Sequence, residues 1–572
     1  MKIFSILCWI LLMSCAQKTA EVKQVRALPA PQDLKEQCEA QDVEPTVEEV
    51  APDVFMARGF DLANTYLIRT TEGNVIVDAA SCPTRARAQK EALLAKAPGP
   101  IRALIYTHSH LDHVGGASAW VEDDTEIWAT DALYPHLMKQ YGVFRETESR
   151  RAARQWGYHV TEAQMSCSAI GKRLDLVEAM NIGILKPTHT FSGQKTLQFG
   201  ETVIELVEAH GETHDQLFLW IPKLETLMPG DNYYASFPNL YTVRGTSPRP
   251  VDQWIQSLDK MRHKDPVLLL PSHTGPVRGR ETIRQVLTDY RDAIQWVHDA
   301  VVRGANAGLG VDGLVAQTGL PEHLANKPYL KEMYGQVDWS VKAIYGNNLG
   351  WFDGKPEQLY RPGDATAREI DLMGGVEKVL QQADQALQAE DPRWAAHLYA
   401  KVRDSGLVEA GSADAAFARA LEKLGEELYN TNGRAYLLES AHELREGWEP
   451  LPTPEINAGF LEMLPISTLF EGTTSRLMPE VSMDVHETIL FEFTDLDERI
   501  FLTVRNGVAE VALNASIPGT PEPSAIVQVD SMTWKRVALG MESPLAALTS
   551  GRMKVEKLMA FKTFMGRFRK GV

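Results

Sequence analysis

The feature that most constrains this chain is a short polar stretch that directly follows a buried strand. Residues 101–106 are apolar apart from Arg102 and predict the strand, and Thr107 and then His108-Ser109-His110-Leu111-Asp112-His113 follow it. Four ligand-type side chains in six residues are unsuited to a core and typical of a metal site. His108 and His110 are two positions apart at a strand end, so they point the same way and can share one metal ion. Asp112 and His113 turn towards a second ion.

Short strands and helices alternate around this stretch. The pair Gly115-Gly116 closes it and allows another backbone to approach closely. The pattern predicts strands at 54–57, 65–69, 74–78, 125–129 and 203–207, and helices at 91–96, 150–156 and 174–180. Alternation of this kind predicts a layered α/β body.

The pattern His-x-His-x-Asp-His resembles the signature of the metallo-β-lactamase fold, whose members usually hold one or two zinc ions. The resemblance implies an α/β domain with the αββα sandwich of that fold. Common members place a third zinc-binding histidine in a Gly-His-Thr sequence, whereas this chain has Gly211-Glu212-Thr213. A carboxylate oxygen is also an acceptable zinc ligand, so we expect Glu212 to join His108 and His110. His210 and His214 are rivals for that position.

The second ion is expected to take its remaining ligands from later strand ends. Gly230-Asp231 resembles the position of the carboxylate that bridges the two metals in this fold, and a bridging carboxylate offsets the repulsion between two cations. The apolar run 267–270 leads into His273, which completes the second site with Asp112 and His113. The ligand set therefore consists of His108, His110, Glu212, Asp112, His113, Asp231 and His273, with two Zn²⁺ per chain.

Residues 239–245 indicate which branch of this fold the chain resembles. Their sequence Asn-Leu-Tyr-Thr-Val-Arg-Gly, together with Glu212 and with Asp231 nineteen positions later, resembles the alkylsulfatases, which hydrolyse linear alkyl sulfate esters. The resemblance implies that Asn239 and Arg244 contact the sulfate, and a guanidinium is well shaped to bind two of its oxygens. The implied reaction releases an alcohol and inorganic sulfate through hydroxide on the two zinc ions, with Asp112 orienting the nucleophile. The family resemblance favours attack at carbon.

The chain departs from the family pattern at three places. The family generally has glutamate in place of Asp231, which is one methylene shorter. It has Ala-Pro-Ala-Glu where this chain has Thr213-His214-Asp215-Gln216, and a double histidine followed by tryptophan and proline where this chain has Ser272-His273-Thr274. The changed rim leaves the natural substrate open.

The rest of the chain resembles the remaining alkylsulfatase domains. The predicted boundaries are a catalytic domain at 49–302, a helical dimerisation domain at 303–448 and a small α+β domain at 455–572 that resembles sterol carrier protein type 2. A homodimer is therefore expected, and the last domain and the helical region are expected to accept the alkyl chain by apolar burial. Trp351 and Phe352 are both aromatic, which favours a core position over contact with a ligand.

The N-terminus predicts export. Residues 1–15 form a charged and then apolar leader that is too short to span a bilayer, and Leu12-Met13-Ser14-Cys15 resembles a bacterial lipoprotein cleavage box. We therefore expect a periplasmic or outer-membrane lipoprotein anchored at Cys15, with residues 16–48 as a polar tether. Ordinary signal cleavage with an incidental cysteine is the alternative. Cys38, Cys82 and Cys167 allow one disulfide in an oxidising compartment.

The formal net charge of −18 argues against nucleic acid as a partner, because binding phosphates requires a basic face. Three alternatives to an alkylsulfatase stay open. The same site is suited to another ester, such as a phosphodiester, a lactone or a β-lactam. In the second alternative the chain is a non-catalytic lipid-binding lipoprotein. In the third it is an oxidoreductase with iron in place of zinc.

Overall fold

The computed structural model describes residues 22–41, 43–140, 143–452 and 454–569. The predicted signal peptide at 1–15 and its Cys15 lie outside these residues. Within the described ranges, no helix combines the length and the apolar character that crossing a membrane requires.

The first sheet has seven strands and carries the polar stretch at one edge. The strand before this stretch, Ile101–Ile105, is the fifth of the seven and pairs in parallel with Gly73–Val77 on one side and Glu126–Thr130 on the other. A strand covered on both faces needs mostly apolar side chains, which explains its sequence, in which only Arg102 is charged and only Arg102 is not fully buried. In spatial order the strands are Thr46–Ala51, Val54–Arg58, Thr65–Thr70, Gly73–Val77, Ile101–Ile105, Glu126–Thr130 and His189–Phe191.

A second sheet packs against the first and completes the sandwich. Its six strands are Gln194–Phe199, Thr202–Glu208, Leu217–Ile221, Thr226–Met228, Leu268–Leu269 and Val277–Arg278. Buried side chains such as Ile105 and Leu219 fill the space between the sheets. The outer faces are covered by helices Pro83–Lys96 and Leu133–Gln140 on the first sheet, and Val251–Lys264 and Arg280–Asn306 on the second. The predicted αββα sandwich is confirmed.

The insertion between the strands Glu126–Thr130 and His189–Phe191 of the first sheet contains the helix Arg145–Trp156. The helix predicted at 174–180 does not form; this segment is irregular and ends in the short 3₁₀ helix Glu178–Met180. Asp175 accepts hydrogen bonds from the backbone N–H groups of Val177 and Glu178. Such a side-chain bond competes with helical hydrogen bonding.

The N-terminal segment differs from the predicted tether in the part that the structure describes. Residues Pro31–Gln41 form a helix, and Cys38 is joined to Cys167 by a disulfide. The Gln37 amide donates to the carbonyl oxygens of Ala169 and Ala235. Although its composition is polar, this segment is fixed to the rest of the protein by a covalent bond and by directed hydrogen bonds.

The middle of the chain is helical. Its helices are Val311–Gln317, Glu322–Ala325, Val337–Leu349, Pro356–Leu359, Ala365–Leu372, Val376–Gln388, Pro392–Asp404, Asp414–Glu427 and Thr431–Glu446. Val337–Leu349 shares the apolar core of Arg280–Asn306, which attaches this region to the sandwich. The core position expected for Trp351 is wrong, because the residue is 80% exposed in the loop after Val337–Leu349.

The C-terminal region is a five-stranded sheet with helices on it. The strand order is Val508–Leu513, Arg499–Arg505, His486–Phe493, Ala525–Val529 and Met553–Glu556. The helices are Ala458–Met463, Ile466–Thr474, Ser531–Ala538, Pro544–Thr549 and Leu558–Met565. A separate apolar core holds it together, with Phe470, Phe491 and Trp534 in mutual ring contact.

We predict that Cys38→Ser lowers the stability of the protein, because the disulfide closes a separation of 129 residues and restricts the unfolded chain. A loss of about 2–4 kcal/mol is typical for such a bond. The measurement is thermal unfolding with and without reductant. Reductant should lower the melting temperature of the parent to that of Cys38→Ser and leave the variant unchanged. A parent that is insensitive to reductant would contradict the prediction.

Candidate metal centre

The polar stretch lies in the turn between the strand Ile101–Ile105 and the helix Leu111–Val114. The two glycines after this helix allow a very close approach of a neighbouring loop. A Cβ atom on Gly115 would lie 2.0 Å from the carbonyl oxygen of Ser81, and one on Gly116 would lie 2.2 Å from that of Ala79. The predicted reason for the glycine pair is therefore confirmed, and the turn is packed tightly against the sheet.

The first group of ligand-type side chains consists of His108, His110 and Asp231, all of them buried. One ligand atom from each lies within 4.8 Å of the others. His108 Nε2 is 2.9 Å from His110 Nδ1 and 3.7 Å from Asp231 Oδ2. Nitrogen and carboxylate donors at this spacing suit a zinc-sized cation.

The second group consists of Asp112, His113 and His273 and meets the same distance limit. Asp112 Oδ2 is 3.4 Å from Nε2 of His113 and 3.4 Å from Nε2 of His273. The structure thus brings together the turn residues and His273, which lie about 160 positions apart in the sequence.

Asp231 belongs to the first group and also reaches the second. Its Oδ2 is 3.1 Å from His273 Nε2, and its Oδ1 is 3.5 Å from His113 Nε2. Burial disfavours the charged form of His113, but Asp231 together with Asp112 and Asp78 outweighs burial and raises its pKa well above the usual value. His113 Nε2 and Asp231 Oδ1 are buried without a hydrogen-bond partner among the described residues. Buried polar atoms of this kind fit a bound cation.

Glu212 lies beside the first group. Its Oε1 is 3.9 Å from His110 Nδ1, and its Oε2 forms an ion pair with Arg249. Burial raises the pKa of Glu212 to about 7, although Arg249 opposes this shift. Both rival histidines bond elsewhere. His210 contacts Gln253 and Glu208, while His214 donates to the carbonyl oxygen of Pro248.

Sequence reasoning missed Asp78, the residue that supports the turn. It follows the strand Gly73–Val77, and its carboxylate accepts hydrogen bonds from His113 Nδ1 at 2.7 Å, from Ser272 Oγ at 3.0 Å and from both the N–H and the hydroxyl of Thr107. It therefore fixes the tautomer of His113, whose Nε2 faces the second group. The signal that could have found it is the position of an aspartate at the end of a strand next to Ile101–Ile105.

The two predicted sulfate contacts lie on the side of the first group. Arg244 Nη2 is 3.3 Å from His110 Nε2, and its Nη1 donates to Thr242 Oγ1 at 2.9 Å. Gln155 accepts from the backbone N–H of Arg244 and from Thr242 Oγ1, which holds the loop in place. Asn239 is fully buried, and neither Nδ2 nor Oδ1 has a hydrogen-bond partner among the residues described.

The changed rim places another carboxylate near the turn. Asp215 is fully buried, accepts a hydrogen bond from Ser109 Oγ at 3.1 Å, and lies 4.0 Å from Nε2 of His136. Burial raises its pKa to about 7. Asp215 therefore connects the segment after Glu212 to the histidine turn.

Three family models match the chain in sequence order. They are the metallo-beta-lactamase superfamily at residues 58–273, alkyl sulfatase dimerisation at 311–447 and alkyl sulfatase C-terminal at 455–571. Together they span the sandwich, the helical region and the C-terminal sheet.

Similar proteins span nearly the same length. A linear primary-alkylsulfatase from a Pseudomonas strain is 32% identical over 524 residues, which cover 88% of this chain and 98% of that protein. An (R)-specific secondary-alkylsulfatase from Pseudomonas is 28% identical over 89% of this chain and 78% of its own length. The solved structure of a stereoselective inverting sec-alkylsulfatase from Pseudomonas has a TM-score of 0.84 at 25% identity, covering 94% of this chain and 87% of that one.

We predict that Asp78→Asn weakens metal binding by about 10–100-fold, the usual cost of losing a group that orients a ligand. The asparagine side chain would replace one carboxylate oxygen by an N–H group, which cannot accept the hydrogen bonds that His113, Thr107 and Ser272 donate. Competition with a chelator measures the affinity. Asp131→Asn is the matched control, since Asp131 is exposed and accepts from Ser192 Oγ. Equal affinities of the two variants would contradict the role given to Asp78.

Proposed function

The chain belongs to the alkylsulfatase family of the metallo-β-lactamase superfamily, and from that premise we propose that it hydrolyses alkyl sulfate esters to an alcohol and inorganic sulfate. The observation that carries the proposal is the placement of Arg244 beside His110, at 3.3 Å. This guanidinium places an anion-binding group next to the two ligand groups, which suits an ester that carries a permanent negative charge.

The proposed cofactor is a pair of zinc ions. His108, His110 and Glu212 would hold one, Asp112, His113 and His273 the other, and Asp231 would bridge them. When bound, the two ions would supply Lewis-acid polarisation and a nucleophile derived from water near neutral pH. Support comes from the all-nitrogen-and-oxygen donor set and from the contacts of Asp231 with residues of both groups.

Each of the remaining residues has a separate task in this proposal. Arg244 binds two oxygens of the sulfate, and the Asn239 amide has a free donor and a free acceptor for the same group. Asp112, which is partly exposed beside His113 and His273, orients the attacking oxygen. Asp78 keeps His113 in the correct tautomer.

A homodimer is proposed through the helical region. Support comes from the match to the alkyl sulfatase dimerisation family and from large apolar side chains on its surface, where Tyr360 is 91% and Leu372 is 88% exposed. Exposed apolar residues clustered in one segment are typical of an interface.

Export, with an anchor at Cys15, is proposed for the whole protein. The support is the Cys38–Cys167 disulfide, since such bonds persist in oxidising compartments such as the periplasm. A mature N-terminus at an acylated Cys15, found by mass spectrometry, is the expected result. A free N-terminus further along the chain would contradict the anchor.

The first test is the release of sulfate from dodecyl sulfate by the purified chain. We expect chelation to abolish release, added zinc to restore it, and His108→Ala to remove it without unfolding the protein, because His108 is a proposed ligand. His189→Ala is the control, since His189 lies on the exposed surface of the outermost strand. Activity on a phosphodiester, lactone or β-lactam with none on dodecyl sulfate would replace the proposed substrate class. A chain without bound metal would favour the lipid-binding alternative.

The second test locates the bond that breaks. We propose attack at carbon, and hydrolysis in ¹⁸O-labelled water should then place the label in the alcohol. Mass spectrometry of both products measures it. Label in the sulfate would contradict attack at carbon and leave the ester hydrolase intact.

A further inference from the structure

The ring of His273 is held by a backbone carbonyl group. Its Nδ1 lies 3.0 Å from the carbonyl oxygen of Leu62, while its Nε2 faces Asp112 and Asp231. A carbonyl oxygen can only accept a hydrogen bond, so Nδ1 carries the proton and the lone pair of Nε2 is left for a cation. Leu62 belongs to a short buried segment of the first sheet, residues 61–64, which we call the 61–64 loop.

The same loop also binds the backbone on both sides of His273. The backbone N–H of Asn64 donates to the carbonyl oxygen of Ser272 at 2.7 Å. The side-chain amide of Asn64 donates to the carbonyl oxygens of Pro271 at 3.2 Å and Thr274 at 2.9 Å. The backbone that carries this ligand therefore cannot shift without breaking directed hydrogen bonds to one buried asparagine.

Asp61 fixes the position of Leu62. Its Oδ1 accepts from the backbone N–H of Leu62 at 2.8 Å, and its Oδ2 accepts from that of Ser81 at 2.6 Å. Ser81 in turn provides the carbonyl group against which Gly115, after the histidine turn, is packed. Asp61 therefore joins the 61–64 loop to the segment that lies against the turn.

Close packing restricts the Leu62 carbonyl group further. A Cβ atom on Gly171 would lie 2.2 Å from the Leu62 oxygen, so the backbone of Gly171 lies directly against it. Asp61 belongs to neither of the ligand groups found among the described residues. Its contacts are with backbone N–H groups, and its effect on a metal ion would pass through Leu62 and His273.

We propose that Asp61 and Asn64 are positioning residues for His273, and that together they set the affinity of the second ligand group for its ion. The inference rests on the proposed zinc cofactor. A ring that is tilted, or that carries its proton on the wrong nitrogen, is a poorer metal ligand. Removing a group that orients a ligand usually weakens metal binding by about 10–100-fold.

The specific consequence is that one of the two ions is affected more than the other. The ring nitrogens of His108 and His110 contact Thr107 and Arg244, and these contacts do not involve the 61–64 loop. Variants of the loop should therefore weaken the second ion and largely spare the first. A merely structural role would instead lower the stability of the metal-free chain without distinguishing the two ions.

The test uses Asp61→Asn and Asn64→Asp in the full chain, since both changes preserve the shape of the side chain. An asparagine at 61 can accept only one of the two N–H groups, and an aspartate at 64 cannot donate to the two carbonyl oxygens. Competition between the zinc-loaded protein and a chelator measures both affinities. Anomalous X-ray scattering from crystals of each variant shows which ligand group has lost its zinc.

The chain offers a matched control for each change. Asn74→Asp is the first, because Asn74 is buried and its amide also donates to two backbone carbonyl oxygens. It lies at the start of the strand Gly73–Val77, whose other end leads to Asp78. Asp289→Asn is the second, because Asp289 is a buried carboxylate that accepts from Tyr329 Oη in the outer helix layer.

We expect Asp61→Asn and Asn64→Asp to bind the second zinc ion about 10–100-fold more weakly than the parent, and the first within about threefold. Both controls should match the parent in both affinities, even where their melting temperatures fall. The two loop variants are separate tests, so each decides the outcome if the other does not fold.

Three results would overturn the proposal. Unchanged affinities for both ions would show that the loop does not position His273. Equal weakening of both ions, or the same weakening in the controls, would show that the loop only stabilises the fold. A parent that binds no second ion would also refute the inference. A parent that binds two zinc ions but releases no sulfate would refute the proposed reaction alone, and the zinc titrations would still decide the roles of Asp61 and Asn64.

Discussion

The carboxylate of Asp231 contacts ligand-type side chains of both groups, and the arrangement of the site depends on these contacts. Its two oxygens reach His273 at 3.1 Å and His113 at 3.5 Å. Burying ionisable groups is costly unless they are paired or bind a cation. In the sandwich, the ends of parallel strands bring these ionisable side chains together. Asp78 follows a strand parallel to Ile101–Ile105, and Asp231 and His273 follow the parallel pair Thr226–Met228 and Leu268–Leu269. Parallel strands deliver these side chains to one edge.

The sequence pattern predicted much of this edge, because strand ends and ligand types are local signals. The run 101–106 and the histidines after it identified the sheet and the turn, and His273 was found as the polar residue after a later buried strand. Asp78, Asp215 and Arg249 were missed because their roles depend on contacts between segments far apart in the chain. The polar composition of residues 31–41 gave no sign of the helix there, since the contacts of Cys38 and Gln37 are with distant segments. Trp351 looked like a core residue because composition does not report which faces remain exposed.

The side of the site that carries Arg244 has more positively charged side chains than the sequence motif alone indicated. The motif at 239–245 gives Arg244, whereas the fold adds Arg249 and places its partner Glu212 beside His110. One oxygen of Glu212 faces His110, where it is proposed to bind a metal ion, and the other is the counter-ion of Arg249. A metal ion held by Glu212 as proposed would therefore compete with Arg249 for the same carboxylate. The ion pair also provides a physical reason for a carboxylate at a position where a histidine would leave Arg249 unpaired.

The central claim is that Asp231 lies between two cation sites that act together. The most direct measurement is zinc titration of the metal-free chain, with bound zinc and sulfate release from dodecyl sulfate followed in the same samples. The account predicts that two zinc ions bind per chain and that full release requires both. Saturation of both quantities at one zinc per chain would contradict it, because Asp112, His113 and His273 would then hold no ion that the reaction needs.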